Sequence, residues 1–139
     1  MPTPRNEISI KNNTFGPGKP LGFILGPCML ESYDLIKEIC KVLQNECDVP
    51  FIFKASFDKA NRSSIETERG PGIKQGLEDL ARLKAEFNVA VTTDIHLPEH
   101  AELAAQVCDL IQIPAFLARQ TDLIIAAAET NLPKKDKKG

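Results

Sequence analysis

Lys54, Lys59 and Arg62 lie close together in one short segment that runs on into Ser63 and Ser64. A guanidinium offers a planar fork to a phosphate, an ammonium a compact positive charge, and a serine hydroxyl a further donor. The plainest alternative is a solvated basic loop, whose charges would contribute little. Further along, Thr92-Thr93-Asp94-Ile95-His96 and the stretch from Gln112 to Gln120, with Arg119, add two more groups of polar residues next to apolar runs. Cys28, alone between Pro27 and Met29, is on its own terms most simply a small structural thiol. His96-Leu97-Pro98-Glu99-His100 matches the H-x-x-E-H string of inverted zinc peptidases. That chemistry needs both histidines on one continuous helix, and Pro98 forbids it by removing a backbone donor and holding Leu97 extended.

The elements that must position these residues are legible in the apolar pattern. Four short runs, Leu21 to Leu25, Phe51 to Phe53, Val89 to Val91 and Leu110 to Ile113, are continuous rather than alternating. This is how strands buried on both faces of a parallel sheet read. Helical spacing separates them. Ser32 can cap a helix with Leu35, Ile36, Ile39, Cys40 and Leu43 on one face. Ile73, Leu77, Leu80, Leu83 and Phe87 mark a second helix after Gly70-Pro71-Gly72. Pro98 opens a third carrying Leu103, Ala104 and Val107, and Thr121 can cap a fourth. Alternating strands and helices predict an α/β fold with a parallel sheet. Ile8-Ser9-Ile10 and Thr14-Phe15 around Asn12-Asn13 predict a small hairpin before it. An open flavodoxin-like sheet or part of a (β/α)8 barrel fits; a whole barrel needs about 250 residues, and 139 residues hold about half of one. In either fold, functional residues gather beyond the carboxyl ends of the strands, where the polar groups above lie. A basic loop in that position favours one or two small phosphorylated ligands.

Composition narrows the partners. Seventeen Lys and Arg against 19 Asp and Glu give a formal net charge of -2, with no bulk attraction for nucleic acid or a membrane surface. No apolar run approaches the roughly 18–20 residues that span a bilayer, and Met1 to Glu7 carries no apolar stretch of the signal-peptide kind. A cytoplasmic location is expected, with Cys28, Cys40, Cys47 and Cys108 as thiols. Cys40 and Cys108 fall on apolar stretches and read as core residues.

The run from Phe53 to Ser64, FKASFDKANRSS, followed by RGPG from Arg69 to Gly72, resembles the 3-deoxy-D-manno-octulosonate 8-phosphate synthases. TDIH from Thr93 to His96 and QIPAFLARQTDL from Gln112 to Leu123 are similar to the next two loops of that family, so the likeness spans roughly residues 21 to 132. The resemblance implies the N-terminal half, about four βα units, of a (β/α)8 TIM barrel. It implies condensation of phosphoenolpyruvate with D-arabinose 5-phosphate and water, releasing phosphate, in lipopolysaccharide biosynthesis. Lys54 and Lys59 would hold phosphoenolpyruvate, with Gln112 and Ala115 also touching it. Asn61, Arg62 and Ser63 would bind the sugar phosphate, and Arg119 would complete that site across a subunit interface. Lys59, Asn61, Asp94 and His96 would line the reacting centre. Cys28 stands where metal-dependent members have a ligand to a divalent ion of the zinc, iron or manganese type, the other ligands coming from later strands. A homo-oligomer, a tetramer in the family, is also implied. The related synthase that uses erythrose 4-phosphate and makes 3-deoxy-D-arabino-heptulosonate 7-phosphate has a KPRTS-like run where this chain has Ala60 to Ser64. A non-catalytic sugar-phosphate-binding or assembly fragment is a further alternative.

The reading divides the chain into a hairpin and turn (1–20), a partial barrel (21–132) and a charged tail (133–139). In the family a fifth apolar strand arrives at the tail and ends in Lys-Lys. Lys134, Lys135 and Asp136 are unsuited to a buried strand, so a disordered tail is expected. Four units alone would leave two sheet edges open.

Overall fold

The computed structural model describes residues 7–58 and 70–137. Strands β1 (Ile8–Ile10) and β2 (Asn13–Phe15) form an antiparallel hairpin with Ile8 opposite Phe15. Lys11 takes a positive φ of 49° at the turn, and the buried Asn13 side chain donates to Ile10 O at 3.3 Å. Then follow β3 (Phe23–Met29), α1 (Tyr33–Glu46), β4 (Phe51–Ser56), α2 (Ile73–Phe87), β5 (Ala90–Asp94), α3 (Pro98–Ala105), β6 (Leu110–Ile113), α4 (Thr121–Glu129) and β7 (Lys134–Asp136). A short 3₁₀ turn, Ala115–Leu117, lies between β6 and α4.

Five strands form one parallel sheet in the order β3-β4-β5-β6-β7. The order never reverses, so right-handed crossovers place every helix on the same face. A doubly wound sheet would change direction at a switch point; this one does not. The side chains divide accordingly. Phe53, Val91 and Ile111 pack with Ile36 and Cys40 of α1, Leu77, Leu80 and Leu83 of α2, Ala104 of α3 and Leu123 of α4 in the main core. The alternate residues Ile24, Ile52, Ala90 and Leu110 point to the other face and form a smaller cluster with Ile10 and Phe15 of the hairpin. The hairpin thus covers the amino-terminal part of the face that the helices leave bare.

Local signals explain most boundaries. Ser32 Oγ accepts from Leu35 N–H at 3.2 Å and caps α1. Asn88 ends α2 in the left-handed region, at φ 50°. Pro98 opens α3 as expected. For α4 the reading needs correction: Gln120, not Thr121, is the cap residue, and no side-chain bond caps this helix. On the outer surface, the Tyr33 hydroxyl donates to Glu86, which also pairs with Lys37 at 2.6 Å, tying α1 to α2.

The charged tail is the main correction. Lys134–Asp136 is a strand paired with β6, Ile111 to Lys134, Gln112 to Lys135 and Ile113 to Asp136. The flanking backbone joins the ladder, with Ile111 N–H donating to Pro133 O at 3.0 Å and Lys137 N–H to Ile113 O at 3.1 Å. Burial was the false premise. At a sheet edge the ladder needs only backbone groups, and charged side chains are common there. Lys134 and Asp136 are exposed, and Lys135 is half-buried.

Candidate active site

Parallel strands place their carboxyl ends side by side, and period-two alternation decides which side chains face away from the helices. On β4 that face carries Ile52, Lys54 and Ser56; on β5, Ala90, Thr92 and Asp94; on β6, Leu110 and Gln112. Apolar residues fill the end nearest the hairpin, and polar residues fill the end beyond it.

The polar end is connected. Lys54 Nζ donates to Ser56 Oγ at 3.2 Å. Asp94 Oδ2 meets His96 Nε2 at 2.8 Å, both side chains being 11% exposed. Burial alone would raise the Asp94 carboxyl; hydrogen bonding from His96 and Ser56 and the positive charge of Lys54 outweigh it and hold the group below its ordinary 3.8. Asp94 therefore stays ionised at neutral pH. Its second oxygen, Oδ1, and Gln112 Oε1 are buried acceptors with no partner among the described residues. Such acceptors are costly to leave unpaired, and they suit a ligand or solvent that donates.

His96 is fixed from several sides. Its ring centroid lies 5.4 Å from that of buried Phe57 and 6.2 Å from that of His100. Nδ1 of His100 accepts from the backbone N–H groups of His96 and Leu97 at 3.2 and 3.3 Å. His96 precedes α3 and His100 lies in its first turn, the separation that Pro98 imposes on the H-x-x-E-H string. A carboxylate–imidazole pair with a locked ring can orient a substrate or exchange a proton. Lys54 beside it offers charge for an anion.

The other expected residues are placed less centrally. Ala115 starts the 3₁₀ turn after β6, half-buried, and Arg119 is exposed in the loop before α4, outside this network. Lys59, Asn61, Arg62 and Ser63 lie outside the described residues. Cys40 and Cys108 are buried, and burial pushes their thiols up to about 11 and about 12. Cys28 differs: it is exposed, sits where the β3–β4 register shifts, and holds a φ of 74°. No three His, Cys, Asp or Glu side chains among the described residues are grouped to hold a metal ion. Cys28 supplies one donor where a catalytic centre needs about three protein ligands. The described residues therefore do not by themselves make a metal centre.

The sequence alone does not single out Ser56 or Phe57, and it offers His100 only as half of the H-x-x-E-H string. Ser56 was available in principle, two residues beyond Lys54 on the same strand face; the contacts of Phe57 and His100 arise only when β4 and α3 meet.

The family described as DAHP synthetase I matches residues 6–139. The chain belongs to that family. Proteins similar to it include the 2-dehydro-3-deoxyphosphooctonate aldolase of Fusobacterium nucleatum, 48% identical over 137 residues, which are 96% of this chain and 49% of that protein. The protein of that name from Protochlamydia amoebophila is 47% identical over 136 residues, 96% of this chain and 50% of its own. The one from Desulfotalea psychrophila is 50% identical over 127 residues, 89% of this chain and 45% of its own. The chain spans about half the length of these curated relatives.

Proposed function

We propose that this chain forms part of a 3-deoxy-D-manno-octulosonate 8-phosphate synthase on a (β/α)8 barrel, joining phosphoenolpyruvate to arabinose 5-phosphate. The observation that carries this reading is the meeting of Lys54, Asp94 and His96 at the carboxyl ends of neighbouring parallel strands, on the face without helices. In a barrel that face is the interior and those ends form the catalytic mouth. The unreversed strand order supports the barrel, and relatives 46–50% identical, named for this octulosonate chemistry, support the substrates.

In this reaction carbon 3 of phosphoenolpyruvate forms a bond to the aldehyde carbon of the sugar, water adds at carbon 2, and the carbon 2–phosphate link breaks to release phosphate. Lys54, with Lys59, Gln112 and Ala115, holds phosphoenolpyruvate; Asn61, Arg62 and Ser63 hold the sugar phosphate, with Arg119 reaching it across a subunit interface. Asp94 and His96 line the reacting carbons, where a developing oxyanion gains from fixed donors and cations. Cys28 would contribute one ligand to a divalent metal, the remaining ligands coming from later strands, and the metal would supply electrophilic stabilisation of the developing oxyanion. A cytoplasmic homo-oligomer completes the reading. Among the described residues no helix is long and apolar enough to cross a membrane.

The test is phosphate release by the purified chain with both substrates, with and without divalent metal, beside a full-length relative as control. Release that requires both substrates is expected if the chain assembles a complete site. Incorporation of erythrose 4-phosphate in preference to arabinose 5-phosphate would overturn the substrate assignment and favour the heptulosonate chemistry in the family's name.

A further inference from the structure

Phe57 is buried, at 2% exposure, yet it belongs to neither apolar cluster of the described residues. It stands one residue beyond β4, where the chain leaves the sheet at the polar end. Two imidazoles and a set of glycines lie against it. The His96 ring is tilted by 31° with its centroid 5.4 Å away, and the His100 ring stands edge-on, at 84° and 5.2 Å. Both distances fall in the range of favourable aromatic pairs. His96 is the ring that meets Asp94, and His100 holds the main chain of His96 through Nδ1. Phe57 therefore packs on the ring that faces the carboxylate and on the residue that fixes its backbone.

The glycines fix Phe57 in turn. Gly72 N–H donates to Phe57 O at 3.1 Å, and Gly72 O accepts from Gly76 N–H at 2.9 Å as α2 begins. A Cβ on Gly70 would stand 2.5 Å from Phe57 O, and one on Gly76 would stand 2.4 Å from Phe57 Cβ. Neither neighbour is the free end of a flexible side chain, so bare positions at 70 and 76 are what let α2 close on Phe57. Gly70 and Gly72 also hold positive φ, 108° and 85°, which glycine adopts without penalty. The end of β4 and the start of α2 thus form one joint, and the Phe57 ring reaches from it to His96.

Orientation decides what the histidine can do. An ionised carboxylate only accepts, so Nε2 of His96 carries the hydrogen between the ring and Asp94. A ring that turned on its side chain would lose that alignment, and an aromatic face packed on it opposes the turn. We propose that Phe57 is a positioning residue of the site, holding the plane of His96 so that Nε2 stays on Asp94, while the glycines at the start of α2 hold Phe57. The chemistry that this serves rests on the synthase reading; the positioning does not.

The test is long-range proton–nitrogen NMR of the full chain with isotope-labelled histidine, for the parent, Phe57→Leu, Phe57→Tyr and Gly76→Ala. The chain has 2 histidines, so the spectrum holds only their imidazoles. In the parent each is expected in one form with its hydrogen on Nε2, His96 because it faces Asp94 and His100 because its Nδ1 accepts main-chain N–H groups. Losing one aromatic pair corresponds to roughly a 2–10-fold change in an equilibrium. Phe57→Leu is expected to raise the Nδ1–H form of His96 by that factor and to leave His100 as it was. Phe57→Tyr keeps the ring and should match the parent. Gly76→Ala keeps the ring but displaces Phe57, and should change His96 in the direction of Phe57→Leu. A side chain that only fills space would lower stability to urea in Phe57→Leu and leave the His96 form unchanged, and that result overturns the proposal. Parent His96 already divided between both tautomers overturns it without any variant. Phosphoenolpyruvate added to the parent should shift the His96 signals. No shift at millimolar concentration overturns the synthase reading and leaves the comparison of tautomers to stand by itself.

Discussion

The Nδ1 atom of His100 accepts the backbone N–H of His96 at 3.2 Å, so the two histidines of the H-x-x-E-H string are joined through the main chain, not by a shared ligand. The same nitrogen takes the N–H of Leu97. His100 thus fills the role that Glu or Gln has at the third position of a helix, reaching back to an orphan donor at the cap. The consequence is positional. The loop that aims His96 at Asp94 is held by the first turn of α3.

This arrangement needs His100 neutral, because a protonated ring cannot accept at Nδ1. Burial first, and the charge of His96 next, lower its pKa below the ordinary 6.5, against the opposing pull of Glu99 and Asp58. The unfolded chain therefore binds more protons than the folded one in the window just below 6.5, and stability falls as pH drops through it. Above that window the contribution is level. His100→Gln supplies an acceptor that does not titrate, so it is expected to hold stability at pH 7.5 and flatten the slope between pH 7 and 5. His100→Ala should lose about 1 kcal/mol at pH 7.5. Urea unfolding at the two pH values checks both, and an unchanged slope in His100→Gln would sink the assignment.

Asp94→Asn tests the electrostatics of the pair itself. The carboxyl is held below 3.8 in the fold, so it stabilises the protein above that value and loses the contribution as pH falls through its folded pKa. The amide cannot carry the charge that faces His96 and Lys54. Replacement is expected to cost about 1–3 kcal/mol at pH 7 and to reduce the acid sensitivity of unfolding below pH 4. Phosphoenolpyruvate binding should persist, since Lys54 remains, while any turnover should fall at least 100-fold. Equal stability of variant and parent at pH 7 would count against a paired Asp94.

The strands and helices were readable because continuous apolar runs and 3.6-residue spacing report burial directly, as Phe53, Val91 and Ile111 show in the main core. Alternation on β4 was equally informative: Ile52 faces the hairpin cluster, Phe53 the helices and Lys54 the polar face. The strand at Lys134–Asp136 was not readable, because its pairing depends on backbone groups and its side chains argue against burial. His100 was noticed only as half of a metal motif, since a helix-capping contact to a loop leaves no periodic signal. Cys28 on its own terms reads as a structural thiol, yet it is exposed, at the register shift that takes β3 out of the alternation that apolar patterning assumes.

Gly26 is a packing requirement two residues before that cysteine on β3. A Cβ placed on it would stand 1.7 Å from Lys54 O, a backbone atom that cannot swing aside. Gly26→Ala must push β3 away from β4 at the level of Lys54. The expected cost is about 1–3 kcal/mol, typical of an overfilled interior, together with weaker anion binding because Lys54 moves. Thermal unfolding and phosphate titration on one preparation check the two effects, and a variant that binds and unfolds like the parent would show that β3 relaxes freely.

Cys28 carries strain that the fold does not require. Its φ of 74° lies in the left-handed region, where a Cβ costs on the order of 1 kcal/mol, and glycine has no such penalty. If packing alone chose the residue, glycine would serve better. Cys28→Gly is therefore expected to raise stability by about 1 kcal/mol, whereas Cys28→Ser, which keeps the Cβ, should not. The thiol should offset that cost as a ligand once later strands supply the remaining donors: cobalt(II) added to the chain joined to the carboxyl-terminal half of a full-length relative should give a thiolate-to-metal charge-transfer band that both variants lack. Cys40 and Cys108, buried and held at high pKa, are controls that cannot supply the band. Greater stability of Cys28→Gly with loss of the band marks the strain as kept for metal binding. A joined protein without the band would remove Cys28 from the metal site, and a glycine variant no more stable than the parent would remove the strain.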